Sequence, residues 1–439
     1  MANTTFYGKL QDKNKKISWG DILSESFKKH DQMDRDRLLA VGTAAWKVND
    51  GNMLNKWRKP WLWTRILLVF VVMAVIIALG IFVFPLEPIF YTMAMVLLPI
   101  TLPLVELVLL WELNIPQNLS LWDILLCFML GGIMSLLFSI VGAYIIEIIN
   151  PRAMSAPLAP LFEEPGKLLA ILIFISKVKK RNNGRIYGIT GLVVGAAVGA
   201  GFSAFESIMY VLRAFGDVTS IATQHYGVDS WAVIVGMQQS LGQILMRMLS
   251  ALGGHIQFAA PYAAALVYGS ADNKRSGVFT GRFLITFALS CIMHASWNIF
   301  CVSWIAMITL IVIMWTNLLY WVNKCMKEVY AAGTSPAASM PVIRWLYGPF
   351  AGQNMTVMTG SSVHIGRSPG NQVVFPSNTA GVSRQHCVLR ANPELTIEDC
   401  GSSVGTFVDG KKLVPHVPVR LASGQKVALG SNKNGFEVM

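Results

Sequence analysis

Apolar and polar positions fall into three regimes along this chain. Residues 1–60 are polar and basic, residues 61–325 are long apolar runs with short charged separators, and residues 341–439 are short β-rich runs between Gly, Asn, Ser and Pro. About 20 apolar residues cross the hydrocarbon core of a bilayer, and the middle region holds about eight runs near that length. They cover about 63–84, 88–111, 122–146, 157–176, 186–212, 233–268, 281–300 and 303–322. The sixth is long enough to tilt, to break at Gly253-Gly254 or to bend at Pro261. Ahead of the first run, residues 21–46 suit a helix with Ile22, Leu23, Phe27, Leu38, Leu39 and Val41 among charges. It lies on the membrane surface or packs one stripe while solvated. Residues 213–229 read as a loop, and 326–340, with Gly333 to Pro336, as a linker. The last region has the turn spacing of a β-sandwich. The fold class is therefore an α-helical polytopic membrane domain with a C-terminal all-β sandwich.

Composition supports that division. The chain has 439 residues, of which 54% are hydrophobic and 14% charged, against about 25% charged in soluble domains. The net charge of +12 would raise nucleic acid as a partner of a soluble protein. Here the basic residues gather before the first run (Lys56, Arg58, Lys59, Arg65), after the fourth (Lys177, Lys179, Lys180, Arg181, Arg185), after the sixth (Lys274, Arg275) and after the eighth (Lys324, Lys327). With eight crossings all four clusters share one face, and the positive-inside rule makes it the cytoplasm, with both termini there. Arg152 and Arg213 fall on the other face. No nucleic acid is needed to explain the charge; the partner is the lipid bilayer. None of the six cysteines forms a CxxC pair or a zinc-finger spacing, and Cys387 and Cys400 suit a reducing cytoplasm. Lys13, Lys15 and Lys16 are followed by polar sequence, which is not a signal-peptide pattern.

Ionisable groups at bilayer depth are expensive and usually face a functional interior. Six stand out: Glu106, Glu163, Glu164, Glu206, His255 and His294, with Arg247 nearby. Pro157, Pro160 and Pro165 argue against regular helix before Pro165, which suits a first helical turn. The paired glutamates would then sit on irregular backbone, tolerated in a membrane only beside a protein-lined or wet cavity. At 1.5 Å per residue, His255 lies about 22 Å and His294 about 18 Å from the cytoplasmic ends of their helices, while Glu206, at about 30 Å, looks shallow on the outer side. Gly191, Gly195 and Gly199 give a small-residue face for close packing. Lys167 is placed to pair with Glu163 or Glu164 across one turn. Such a group of carboxylates and imidazoles suits activation of water, a packing network, or a proton or ion path. There is no HExxH zinc motif and no GxSxG elbow, so Ser203 reads as packing.

Four patterns occur in order on separate runs: Glu163-Glu164-Pro165-Gly166-Lys167, Phe202-Ser203-Ala204-Phe205-Glu206, Arg247 with His255 eight residues on, and His294-Ala295-Ser296-Trp297-Asn298. In this the region of about 60–325 resembles the PrsW family of intramembrane proteases, related to the CAAX prenyl proteases. The resemblance implies hydrolysis of a peptide bond in a membrane-anchored regulator such as an anti-sigma factor, in a bacterial cell membrane. It implies Glu164, or Glu163, as general base, His255 and His294 on water and carbonyl, Glu206 as their orienter, Asn298 at the oxyanion, and Lys167 and Arg247 in support. Two mechanisms remain: a metal-free glutamate mechanism, toward which the reading leans, and zinc held by Glu206, His255 and His294. The rival readings are a non-enzymatic scaffold or transporter, and a CAAX-type prenyl-protein protease. The latter branch more often shows EExxxR and FxxxH.

Residues 341–439 resemble a forkhead-associated (FHA) domain through Gly366-Arg367-Ser368, Ser383-Arg384-Gln385-His386, Asp399 and Gly401 to Phe407. The resemblance implies a cytoplasmic partner bearing phosphothreonine, bound by Arg367, Ser383 and Arg384 with Ser403 assisting. His386 holds the loops. Val404 stands where the family usually has an Asn that grips the ligand backbone, and Asp409 replaces a second usual Asn.

Overall fold

The computed structural model describes residues 23–43, 53–150, 155–182, 184–226, 230–272, 276–300, 303–333, 341–357, 361–391 and 394–439, with Gly20, Trp46 and Val48. They form two compact units, Met1–Gly333 and Thr334–Met439.

The first unit is helical. Within the expected helix at 21–46, the described residues include the regular helix α1 (Gln32–Ala40). The Asp31 carboxylate caps its start by accepting the Asp34 N–H at 2.9 Å. Gly42, at φ +73°, turns the chain away where a Cβ would strike the Leu119–Ser120 backbone. After α2 (Met53–Lys56) come α3 (Leu62–Val83) and α4 (Pro88–Glu112). Glu112 ties these two together, accepting the N–H groups of Trp61 and Leu62 at 2.8 Å and of Trp63 at 3.0 Å. These are the orphan donors of the α3 start. Leu68, Val69, Val72 and Ile76 of α3 are exposed, as a lipid-facing helix requires.

α5 (Leu121–Leu126) and α6 (Gly132–Ile149) are joined through a π turn at Cys127–Gly131. There follow α7 (Ser155–Leu158), α8 (Pro160–Arg181), α9 (Gly188–Tyr226), α10 (Ser230–Ser250), α11 (His255–Val267), α12 (Gly281–Phe300) and α13 (Trp304–Gly333). Among the described residues, six helices are long and apolar enough to cross a membrane: Leu62–Val83, Pro88–Glu112, Leu121–Ile149, Gly188–Gln224, Gly281–Phe300 and Trp304–Gly333. The fourth and sixth expected runs are the exceptions. α8 carries Glu163, Glu164 and Lys167 near one end and a basic cluster at the other. The sixth run breaks into α10 and α11 at a 3-10 turn, Ala251–Gly253, followed by extended Gly254.

Three local expectations change. Irregular backbone before Pro165 is not found: α8 begins at Pro160, where a missing N–H loses nothing. It continues through Pro165, which forfeits a single bond to the Leu161 carbonyl. Residues 213–226 are not a loop but the last third of α9. Phe215 there packs with Val211, Val233, Met237 and Leu241. Residues 326–333, read as the start of a linker, continue α13, because Met326, Val329 and Ala332 are buried. Residues 334–340, like Arg152, lie outside the described residues.

α9 is the axis of the unit, and its first half, residues 188–204, is buried throughout. A Cβ on Gly191, Gly195 or Gly199 would come within 3.0 Å of the carbonyl oxygens of Ala263, Ala259 and His255, respectively. The two backbones of α9 and α11 therefore touch along three turns, which only glycine permits. Glu328 of α13 accepts the Gly188 N–H at 2.8 Å and the Gly269 N–H at 2.6 Å, holding the near ends of both helices.

The second unit is a sandwich of two sheets. Its strands are β1 (Val342–Tyr347), β2 (Asn354–Thr356), β3 (Ser362–Gly366), β4 (Val373–Val374), β5 (Cys387–Ala391), β6 (Leu395–Asp399), β7 (Thr406–Val408), β8 (Lys411–Lys412), β9 (Val419–Arg420), β10 (Lys426–Leu429) and β11 (Ser431–Val438). One sheet runs β2-β1-β11-β10-β7-β8 and the other β4-β3-β5-β6-β9. All pairings are antiparallel except β3 with β4. Inward residues include Trp345, Phe375, Leu389, Ile397, Leu429 and Phe436. The tail thus has a core of its own.

Candidate functional site

The start of α8 presents Glu163, Glu164 and Lys167 on one face, because residues three and four apart are neighbours on a helix. Lys167 is fully buried. Its Nζ lies 2.6 Å from Glu164 Oε1 and 3.9 Å from Glu163 Oε2. It also donates to His255 Nδ1 at 2.9 Å and stands 4.4 Å from the centre of the Phe202 ring. A neutral His255 that accepts at Nδ1 carries its proton on Nε2, and this nitrogen faces Glu206 Oε2 at 3.1 Å. Arg247 of α10 donates to the same Glu206 oxygen at 2.5 Å, and to Ser207 Oγ. Glu206 lies beyond His255 along α9, since Gly199 is the residue level with His255; the two side chains close the gap.

His294 of α12 completes the centre. Its Nδ1 lies 2.8 Å from Glu164 Oε1, and its Nε2 lies 3.5 Å from Glu163 Oε2. The ring stacks on Phe258 at 4.6 Å and stands 5.0 Å from the His255 ring. Glu164 as a carboxylate only accepts, so it fixes the His294 proton on Nδ1 and leaves an Nε2 lone pair toward Glu163. Two acceptors face each other there, an arrangement that a shared proton or a bound cation relieves. Glu163 Oε2 has no hydrogen-bond partner, whereas Oε1 accepts from Ser139 at 2.9 Å.

A cavity of about 210 Å³ opens on this centre, lined by Glu163, Ser203, Glu206, Tyr210, Arg247, His255 and Asn298 among others. Glu164 is behind it, holding Lys167 and His294. The structure thus brings Glu163, Glu164, Lys167, Glu206, Arg247, His255 and His294 together. Asn298 lines the cavity, yet its Nδ2 donates to the Ala156 carbonyl at 2.8 Å. Among the described residues, Glu163, His255 and His294 are placed to share a cation, with ligand atoms within 4.8 Å of one another. Glu163 here takes the place expected for Glu206, which is engaged by Arg247. Ser203 is a cavity residue rather than packing alone. Ser139 and Tyr210 carry no motif; Tyr210, one turn after Glu206 and 4.9 Å under Arg247, is the one that spacing offered.

In the tail, two loops approach each other. Ser383 Oγ accepts the Ser403 N–H at 2.9 Å and lies 3.1 Å from Ser403 Oγ. The Ser368 N–H and Asn371 Nδ2 hold the Arg384 carbonyl, leaving the Arg384 side chain exposed. Arg367 is turned inward, donating from Nε to Val382 O and from Nη1 to Ser377 O. His386 Nδ1 accepts the Ser383 N–H at 3.0 Å, and burial pulls this imidazole below its ordinary pKa. Asp399 accepts from Gly401 N (2.9 Å), Ser402 N (2.8 Å), Ser402 Oγ (2.7 Å) and Thr406 Oγ1 (2.5 Å). Burial raises this carboxyl, but the bonds from Thr406 and Ser402 outweigh it and hold it below the usual range. Val404 is exposed beside Ser403. Asp409, in the left-handed region at φ +48°, accepts the Lys426 N–H at 2.9 Å.

Residues 120–317 match the family described as PrsW family intramembrane metalloprotease, and residues 363–430 match the FHA domain. No curated protein matches the chain. Solved structures similar to the tail include an FHA domain of an Arabidopsis thaliana hypothetical protein, at 27% identity, covering 24% of this chain and 88% of that one, with a TM-score of 0.22. Another is an FHA domain from Chlamydia trachomatis, at 26% identity, covering 23% and 96%, with a TM-score of 0.20. A third is an FHA domain from Mycobacterium tuberculosis, at 27% identity, covering 23% and 97%, with a TM-score of 0.19. The chain therefore carries a PrsW-family intramembrane protease domain in its helical body and an FHA domain at its C-terminal end.

Proposed function

We propose that the helical body hydrolyses a peptide bond of a membrane-anchored regulatory protein, of the anti-sigma-factor kind, and that the tail docks a phosphothreonine-bearing cytoplasmic protein to direct that cleavage. The observation that carries the reading is the buried Glu163 Oε2, which makes no hydrogen bond and faces His294 Nε2 across 3.5 Å beside the cavity. Of the two paired glutamates, Glu163 is the one that meets the cavity and is the general base on water. Glu164 orients His294, and Lys167 neutralises Glu164. His255 is held between Lys167 and Glu206, and Arg247 offsets the Glu206 charge. With its amide on the Ala156 carbonyl, Asn298 fixes the α7 wall, and it reaches an oxyanion only by releasing that bond.

The donor set also fits a metal: one carboxylate and two imidazoles are a hydrolytic zinc set, and Glu164 supplies the carboxylate that such a histidine leans on. Glu163, His255 and His294 would hold the ion. When bound it lowers the pKa of water and polarises the carbonyl. His255 has both ring nitrogens engaged, so ligation through either displaces Lys167 or Glu206.

With α8 and the α10–α11 pair counted as crossings, eight segments put both termini on the basic, cytoplasmic face of a bacterial membrane. The test is cleavage of tagged single-span reporters by the full chain in proteoliposomes. Glu163→Gln should abolish it while the melting temperature holds, and metal analysis with chelator treatment separates the two mechanisms. Undiminished cleavage by Glu163→Gln, or reporters left intact while ions or protons cross, would overturn the reading.

A further inference from the structure

Glu106 is a buried acid that the catalytic centre does not use. It sits on α4, 7% exposed, and belongs to none of the four motifs. Its Oε2 accepts Gln257 Nε2 at 2.8 Å, and its Oε1 has no partner. Gln257 is fully buried, two residues after His255, and its Oε1 accepts the Gly254 N–H at 2.9 Å. Gly254 is the extended residue from which α11 starts, at φ −130°, ψ −144°. The first N–H groups of a helix have no intrahelical acceptor. Gly254 offers no side chain to cap them, so the return bond from position 257 is the half of a capping box that remains.

We propose that Glu106 and Gln257 form a clamp that positions His255, so that α4 takes part in setting the hydrolytic centre. The clamp rests on the proteolytic reading for its effect on turnover, though not for its geometry. Its polarity is specific. The side chain at 257 must donate to Glu106 and accept from Gly254 at the same time, which an amide does and a carboxylate does not. On the other side of the same turn, the His255 carbonyl abuts Gly199, where no Cβ fits. His255 is therefore gripped between α9 and the clamp. Its ring has to span Lys167 at 2.9 Å and Glu206 at 3.1 Å, and a small rotation of the α11 start breaks one or the other.

The test uses the full chain in proteoliposomes and two readouts. The first is carbethoxylation of histidines by diethyl pyrocarbonate, read by mass spectrometry. Gln257→Glu sets two carboxylates face to face, and His255 should label roughly fivefold faster, the weight of about one hydrogen bond, with His294 unchanged. Glu106→Gln keeps an acceptor for Gln257 and should label like the parent. The double variant Glu106→Gln, Gln257→Glu reverses the pair while serving Gly254, and should restore the parent rate. The second readout is cleavage of a tagged single-span reporter: Gln257→Glu should lower kcat by about 100-fold at unchanged KM, as an ångström of misplacement does, and the double variant should recover it. Equal labelling of His255 in Gln257→Glu and parent overturns the clamp, as does a folded double variant that stays as reactive as the single. A parent that cuts no reporter while the labelling pattern holds refutes the proteolytic reading and leaves the clamp standing.

Discussion

Replacing Lys167 with Met removes the ammonium that joins Glu164 of α8 to His255 of α11. The ammonium is fully buried, 2.6 Å from Glu164, 2.9 Å from His255 and 3.9 Å from Glu163. Methionine keeps the volume, so packing against Phe202 survives and the loss is electrostatic. Removing one partner of a buried ion pair costs about 3–5 kcal/mol, because the other charge is left uncompensated. For a unit spanning Met1–Gly333 that corresponds to a fall of about 4–7 °C in melting temperature. Turnover should fall by at least 100-fold, since His255 loses its Nδ1 donor and its orientation with it. The assay is a thermal melt in detergent paired with reporter cleavage, with exposed Lys180→Met on the same helix as control, expected to change stability by less than about 0.5 kcal/mol. A Lys167→Met protein that melts within about 2 °C of the parent and cleaves normally would refute the reasoning.

Three further outcomes are expected of the tail, residues 334–439, studied alone on the strength of its own core. Asp399→Ala strands four donors and should cost about 3 kcal/mol, a fall of roughly 12–24 °C by calorimetry for a domain of this size. Acid should destabilise the parent in two steps. His386 lies below its unfolded value of about 6.5, so its contribution is full above that pH and fades as pH falls beneath it; Asp399 lies below about 3.9, and its contribution is lost as pH falls through the folded value. Melts from pH 7.5 to 3 should show both limbs, and Asp399→Asn should remove the lower one. Arg384→Ala should weaken a phosphothreonine peptide by roughly 10- to 150-fold in calorimetry, the weight of a charge-assisted bond, with no change in melting temperature.

Much of the centre is legible because helical spacing is local. Glu164 and Lys167 must share a face, and His255, His294 and Glu206 announce themselves as costly groups in apolar runs. The glycines at 191, 195 and 199 likewise declare a contact, though not with which helix. What stays hidden is non-local. Nothing near Ser139 in sequence says that it meets Glu163, and nothing near Glu106 says that it meets Gln257. Which of Glu163 and Glu164 faces the cavity depends on the rotation of α8, and that depends on where the helix begins. Three prolines argued for Pro165; burial of the Pro160 turn moved the start back by five residues and turned Glu164 inward. Residues 213–226 misled through Gly216, Asp217 and Thr219, whose weak helix propensity yields to the packing of Phe215 against α10.

The glycine seam has a mechanical consequence. Because α9 and α11 mesh backbone to backbone with matching four-residue steps, neither can slide by less than a full turn without collision. Glu206 and His255 thus ride on a single stiff block. Any give required when a stretched polypeptide enters must come from the neighbouring rods, α8 and α12, which deliver Glu163 and His294.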